Sequence, residues 1–168
     1  MEAGKIEAKM DTVCLSSSIE QCIHTAQGAF KDSNVRFINQ IPEETFFVEA
    51  NKRLIYQVLL NLFSNAIKYN RPEGTVTVKA SIINEHIVKI FVTDTGYGIN
   101  EADMKKLFQP FERLSAKNTT IPGNGIGLSF CEKLMALMEG RIGVDTVVDE
   151  GSTFWIELKK SLPPVESA

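Results

Sequence analysis

Little in this chain is extreme, and each thing it lacks removes a class of protein. Cysteine is scarce: Cys14, Cys22 and Cys131 are an odd set of three with no regular spacing, which is neither a disulfide framework nor a zinc cluster. Cys22 and Cys131 stand among apolar neighbours and read as small core hydrophobes. Positive charge is not in excess: 18 Lys and Arg against 21 Asp and Glu give a net charge of −3. No global basic field is available to hold a nucleic-acid backbone directly. No apolar run approaches the ~20 residues of a membrane helix. The polar start, Met1 to Lys9, is no signal peptide, so the chain reads as cytoplasmic, whether or not a parent protein is membrane-anchored. Repeats and low-complexity blocks are missing too. What remains is ordinary: 168 residues, 43% hydrophobic and 23% charged. That excludes a disordered tail, a collagen-like repeat and a coiled-coil rod, and suits one compact domain with its own core.

The patterning alternates helices and β-branched runs. Ser16 to Phe30 has helical spacing, with Ser17 or Ser18 as N-cap. Val35 to Ile41 and Thr45 to Val48 read as short strands. Asn51 to Tyr69 is the strongest helix. Thr75 to Ile83 and Ile87 to Thr93 form a hairpin around Asn84-Glu85-His86. Glu101 to Leu107 is a short helix, and Ile126 to Met138 is a helix whose end Gly140 marks. Arg141 to Val148 and Ser152 to Leu158 form a last hairpin around Glu150-Gly151. Strands in adjacent hairpins with helices between the pairs predict an α+β fold: a two-layer α/β sandwich whose sheet is antiparallel or mixed.

Three constellations carry chemistry. On the helix Asn51–Tyr69, the apolar residues from Leu54 to Ile67 form one stripe, and Asn61, Asn65 and Lys68 fall together at its shoulder, with Tyr69 on the same side. Amides there either bridge neighbouring backbone or line a pocket, where a carbonyl oxygen can ligate a hard cation such as Mg²⁺. Next, Ile87–Thr93 runs into Asp94-Thr95-Gly96-Tyr97-Gly98-Ile99. This is an ordinary Asp-Gly turn, or a carboxylate held at a strand end to accept from an amino group such as that of adenine. Last, Gly123-Asn124-Gly125-Ile126-Gly127-Leu128 opens an apolar helix: a flexible linker, or bare amides for phosphate. It has neither Walker nor Rossmann spacing. The polar stretch before it, with Phe108 and Phe111 at its base and Arg113 and Lys117 near its start, suits a mobile lid.

In order and spacing these pieces resemble the sensor histidine kinases. Asn61-Leu-Phe-Ser-Asn65-Ala-Ile-Lys68-Tyr69 is similar to their N box, Asp94 to Ile99 to the G1 box, Phe108-Gln-Pro-Phe111-Glu-Arg113 to the F box, and Gly123 to Leu128 to the G2 box. Gly151-Ser-Thr153-Phe-Trp155 is similar to the closing strand motif. The resemblance spans residues 12–160 and implies the Bergerat ATP-binding fold, with ATP and Mg²⁺ as cofactors. It implies Mg²⁺ on Asn65 with Asn61 beside it, phosphate on Lys68 and Arg113, and adenine against Tyr69 and Asp94. It further implies that Gly96, Gly98 and Ile99 let backbone and water approach the base. The amides around Gly123, Gly125, Gly127 and Leu128 would hold the phosphate chain, and Thr153 would lie at the adenine region.

The ATPase superfamily to which the sensor histidine kinases belong also contains gyrase B, and its gyrase-like members carry a general-base Glu where Asn61 stands. An amide cannot take a proton at neutral pH, so Asn61 favours phosphoryl transfer to a protein over hydrolysis. The family's phosphoacceptor lies in an H-E-x-x motif. Neither His24 nor His86 fits it, so no catalytic acceptor is expected in this chain, and residues 1–11 read as the end of a dimerisation helix or linker. Residues 161–168 read as a tail or linker. The implied partners are a histidine-containing dimerisation domain and a response regulator receiver domain; the parent is expected to be dimeric and this chain monomeric. Two other readings are a docking module that no longer turns over and a serine kinase of the anti-sigma type. Intact Asn65, Asp94 and all three glycines of the 123–127 loop weigh against the first, and the long F-box segment weighs against the second.

Overall fold

A computed structural model describes residues 8–42, 46–109 and 126–163. The main sheet has five strands, β2 (Arg36–Asn39), β4 (Thr75–Asn84), β5 (Ile87–Asp94), β6 (Arg141–Val147) and β7 (Gly151–Lys159), in the order β2-β4-β5-β7-β6. β2 runs parallel to β4, and the other pairs are antiparallel. A separate ribbon pairs β1 (Asp11–Cys14) with β3 (Phe47–Ala50). The helices are α1 (Leu15–Ala29), α2 (Lys52–Lys68), the single turn α3 (Glu101–Met104) and α4 (Ile126–Leu137). α1 packs on α2 and α2 on α4, and α2 and α4 lie against the sheet. The expected two-layer sandwich with a mixed, mostly antiparallel sheet is therefore the observed one.

Strand periodicity places the site. Along β5 the inward side chains are Val88, Ile90, Val92 and then Asp94, all buried. Two-residue alternation thus carries a carboxylate onto the core-facing side at the strand's last position. On β7 the matching inward set is Ser152, Phe154, Ile156 and Leu158, and the register puts Ser152 opposite Asp94. The other sheet face is half-exposed, with Phe91 beside Trp155 and Lys89 Nζ 5.4 and 4.1 Å from their ring centroids. α2 buries Ile55, Val58, Leu59, Leu62, Phe63, Ala66 and Ile67, as its stripe predicts, and starts at Asn51, whose side chain accepts from the Leu54 N–H at 3.1 Å. Phe63 meets Phe37 of β2 edge-on at 5.6 Å, locking helix to sheet.

Several local expectations are corrected. The runs at 35–41 and 45–48 do not pair with each other: β2 joins β4 in parallel and β3 joins β1. The strand Asp11–Cys14 is additional to the expected elements, and its first residue falls in the 1–11 segment read as the end of a dimerisation helix or linker. α1 begins one residue early, after Cys14 and with no side-chain cap, because the Phe46 carbonyl accepts from the Leu15 N–H at 2.9 Å instead. α3 ends at Met104 rather than Leu107. At the end of α4 the left-handed residue is Glu139 (φ 58°), not Gly140. The Gly140 N–H reaches the Met135 carbonyl and the Glu139 N–H that of Ala136, a Schellman closure. Glycine is needed at 140 for space, since a Cβ there would lie 2.5 Å from the Glu157 carbonyl oxygen.

Phe63 is fully buried at this helix–sheet junction. Phe63→Ala is expected to cost about 3–5 kcal/mol of folding free energy, read as a lower urea midpoint with an unchanged m-value.

Candidate functional site

Asp94 is 6% exposed. Its Oδ1 accepts from two backbone amides, Gly96 at 2.9 Å and Ser152 at 3.2 Å. One oxygen therefore ties the turn after β5 to the start of β7, and neither bond uses Oδ2. Burial pushes the carboxyl up from 3.8 to about 6, against the downward pull of those two amides. Desolvation outweighs hydrogen bonding here.

The backbone around this carboxylate is too crowded for side chains. A Cβ on Gly96 would lie 2.3 Å from the Tyr69 carbonyl oxygen, so the end of α2 abuts the turn. Gly151 has φ 126°, and a Cβ there would lie 2.1 Å from the Asp94 carbonyl oxygen; that backbone region favours glycine. Gly98 lies beside Val147 in the same loop.

Next to Asp94 opens a cavity of about 680 Å³, lined by Thr93, Ile99, Met104, Val144 and Thr153 among others. Thr93 and Thr153 hydroxyls meet at 2.9 Å on its wall. Thr146 Oγ1 accepts from the Ile99 N–H at 2.9 Å and lies 3.1 Å from the Gly151 carbonyl and 2.8 Å from Ser152 Oγ. It fastens the glycine loop to the last hairpin. The arrangement can hold a flat, mostly apolar ring and read a donor on its edge through an acceptor-only carboxylate.

Asp94, Ile99 and Thr153 come together at this cavity. Gly96 and Gly98 form the adjoining turn. Tyr69 reaches the turn through its backbone, as the C-cap of α2. Asn61, Asn65 and Lys68 are half-buried along α2 and are not among the cavity's lining residues. Asn61 hydrogen-bonds the buried Cys131 thiol of α4, which burial pushes up to about 11 and this bond pulls back. Lys68 Nζ lies over the Phe30 ring at 5.9 Å. Leu128 is buried in the first turn of α4, and Gly127 belongs to that helix. Phe108 packs partly buried against the core. Arg113, Gly123 and Gly125, with Phe111 and Lys117, lie outside the described residues. Thr146, Ser152 and Gly151 also hold the site; their residue types do not mark them as binding residues, although Gly151 opens the closing motif.

Fold and cavity together define an α+β sandwich with a cavity beside a buried carboxylate and a glycine turn. The chain belongs to the family of histidine kinase-, DNA gyrase B-, and HSP90-like ATPases, whose family model matches residues 50–162. Among sequence relatives, the sensor protein GacS of Pseudomonas syringae pv. syringae is 44% identical over 165 residues, covering 95% of this chain and 18% of that protein. The nucleotide-free catalytic domain of histidine kinase ThkA is similar in structure, with TM-score 0.77 and 27% identity over 90% of this chain and 96% of that one. The structure of ThkA in complex with response regulator protein TrrA matches with TM-score 0.73 and 25% identity, over 90% of this chain and 42% of that one. The chain spans only 18, 7 and 22% of the first curated relatives it matches.

The raised carboxyl has a stability signature. Its folded value lies above its ordinary one, so its contribution is complete below about pH 3.8 and is lost as pH rises through about 6. Asp94→Asn lacks that loss. The variant is expected to gain on the native protein by up to about 3 kcal/mol between pH 4 and pH 7.5 without ligand, as chemical denaturation at both pH values would read.

Proposed function

We propose that this chain is the ATP-binding catalytic domain of a two-component sensor histidine kinase. It would transfer the γ-phosphate of ATP to a histidine on a dimerisation domain, from which a response regulator receiver domain takes it. The observation that carries the reading is Asp94, buried beside the cavity and oriented by the Gly96 and Ser152 amides. The family match and the kinase relatives support it.

The residues fit the nucleotide. Asp94 Oδ2 would accept from the exocyclic amine of adenine, with Ile99 and Thr153 against the ring and Tyr69 at its edge. Lys68 and the amides opening α4 would face the phosphates, with Gly123, Gly125 and Arg113. Asn65 would offer its carbonyl oxygen to Mg²⁺. Among the described residues no group of three or more His, Cys, Asp or Glu could hold a metal ion, so an ion there would share phosphate oxygens and water with one amide, as Mg²⁺ tolerates. ATP with Mg²⁺ supplies the phosphoryl group, and the chain's own contribution is positioning and charge neutralisation. Asn61 offers no base for water, which favours a protein acceptor. His24 and His86 are both exposed, one on α1 and the other in the β4–β5 turn, and neither has the acceptor's motif. The acceptor would therefore lie outside these residues.

Asp94→Asn discriminates sharply. Oδ1 keeps both backbone amides, so Nδ2 turns toward the ligand and a donor meets the adenine amine. Losing a hydrogen bond to a charged acceptor costs about 1.5–3 kcal/mol. Calorimetric titration is expected to show ATP affinity falling about ten- to hundredfold, with GTP, which presents an acceptor there, falling less. Equal ATP affinity in both proteins would sink the reading. With a histidine-containing dimerisation domain supplied, the transferred phosphate is expected to be acid-labile; acid-stable phosphoserine would point to the anti-sigma type of kinase.

A further inference from the structure

Arg71, just beyond α2, touches two segments at once. Its Nε donates to the Gly96 carbonyl at 3.3 Å, and its terminal nitrogen Nη2 donates to the Asp149 carbonyl at 2.5 Å. The same nitrogen is 3.8 Å from the Asp149 carboxylate. The guanidinium also lies over the Tyr97 ring, 4.9 Å from its centroid. The two segments it grips are themselves joined, since the Asp149 N–H donates to the Tyr97 carbonyl at 2.7 Å. Arg71 is in turn held from behind: Asn70 Oδ1 accepts from its N–H at 2.8 Å and from Thr95 Oγ1 at 3.0 Å.

These contacts adjoin the two amides that orient Asp94. Gly96 supplies one, and Ser152, three residues past Asp149, supplies the other. The guanidinium's forked, planar donors suit this double grip, with Nε on one carbonyl and Nη2 on the other. We propose that Arg71 is a positioning residue for base recognition: it fixes the spacing between the glycine turn and the β6–β7 turn, and through both amides the direction of the Asp94 carboxylate. It touches no nucleotide itself. This inference rests on the adenine reading of Asp94.

The test compares Arg71→Ala, Arg71→Lys and Asp94→Asn in the full chain. Affinities for ATP and for adenosine are measured, together with the melting temperature without ligand. Arg71→Ala is expected to weaken ATP and adenosine by the same factor, about three- to tenfold for two lost hydrogen bonds. Arg71→Lys, a point charge, is expected to recover less than half of that loss. Melting should change by no more than a few degrees, since the ion pair is exposed. Native ATP affinity in Arg71→Ala overturns the proposal. So does a loss seen with ATP but not adenosine, which would make Arg71 a phosphate ligand, or a loss that only tracks melting, which would make it merely structural. If Asp94→Asn binds ATP as the native protein does, the adenine reading itself fails and this inference fails with it; if only Asp94→Asn weakens binding, the adenine reading stands and the role of Arg71 does not.

Discussion

The structure around the pocket turns on one oxygen atom. Asp94 Oδ1 takes the amides of Gly96 and Ser152, which come from the turn after β5 and the start of β7. Three constraints meet there. Strand alternation makes the side chain point inward, sheet register sets Ser152 opposite, and glycine at 96 and 151 lets the backbone close around it. Each constraint is elementary, and together they fix a carboxylate at one place and one orientation.

That arrangement is costly to the empty protein. A carboxyl pushed up to about 6 is less comfortable ionised in the fold than in water. Two amides offset only part of the desolvation. A buried acceptor whose environment opposes its charge is well matched to a ligand that brings a donor, because binding then relieves part of the penalty. Perturbed groups beside a cavity are concentrated at functional sites. The supporting contacts of Thr146, Asn70 and Arg71 brace the loops around the carboxylate.

Much of this was legible in the sequence because it is local. The stripe of α2, the Asn51 start, the β4–β5 and β6–β7 hairpins and the Asp94 turn all follow from spacing within one or two elements. The partner of β2 was not legible: the parallel pairing with β4 joins Arg36 to Thr75 across a whole helix. Nor was β1, only four residues long. In the site, Asp94 and its glycines announce themselves by residue type. Thr146 and Ser152 do not, because ordinary hydroxyl residues gain their role only through register. Arg71 reaches a carbonyl 78 positions away, and nothing in its own neighbourhood signals that.

The most direct measurement is a carboxyl-detected NMR titration of Asp94 between pH 3 and pH 8, alone and with saturating adenosine. Adenosine has no phosphate to confuse the readout. A midpoint near 6 is expected in the free protein, with a clear downward shift on adding adenosine, because a donor facing Oδ2 favours the ionised form. An ordinary midpoint near 4 that adenosine leaves unchanged would contradict both the burial of the carboxylate and its role in holding the base.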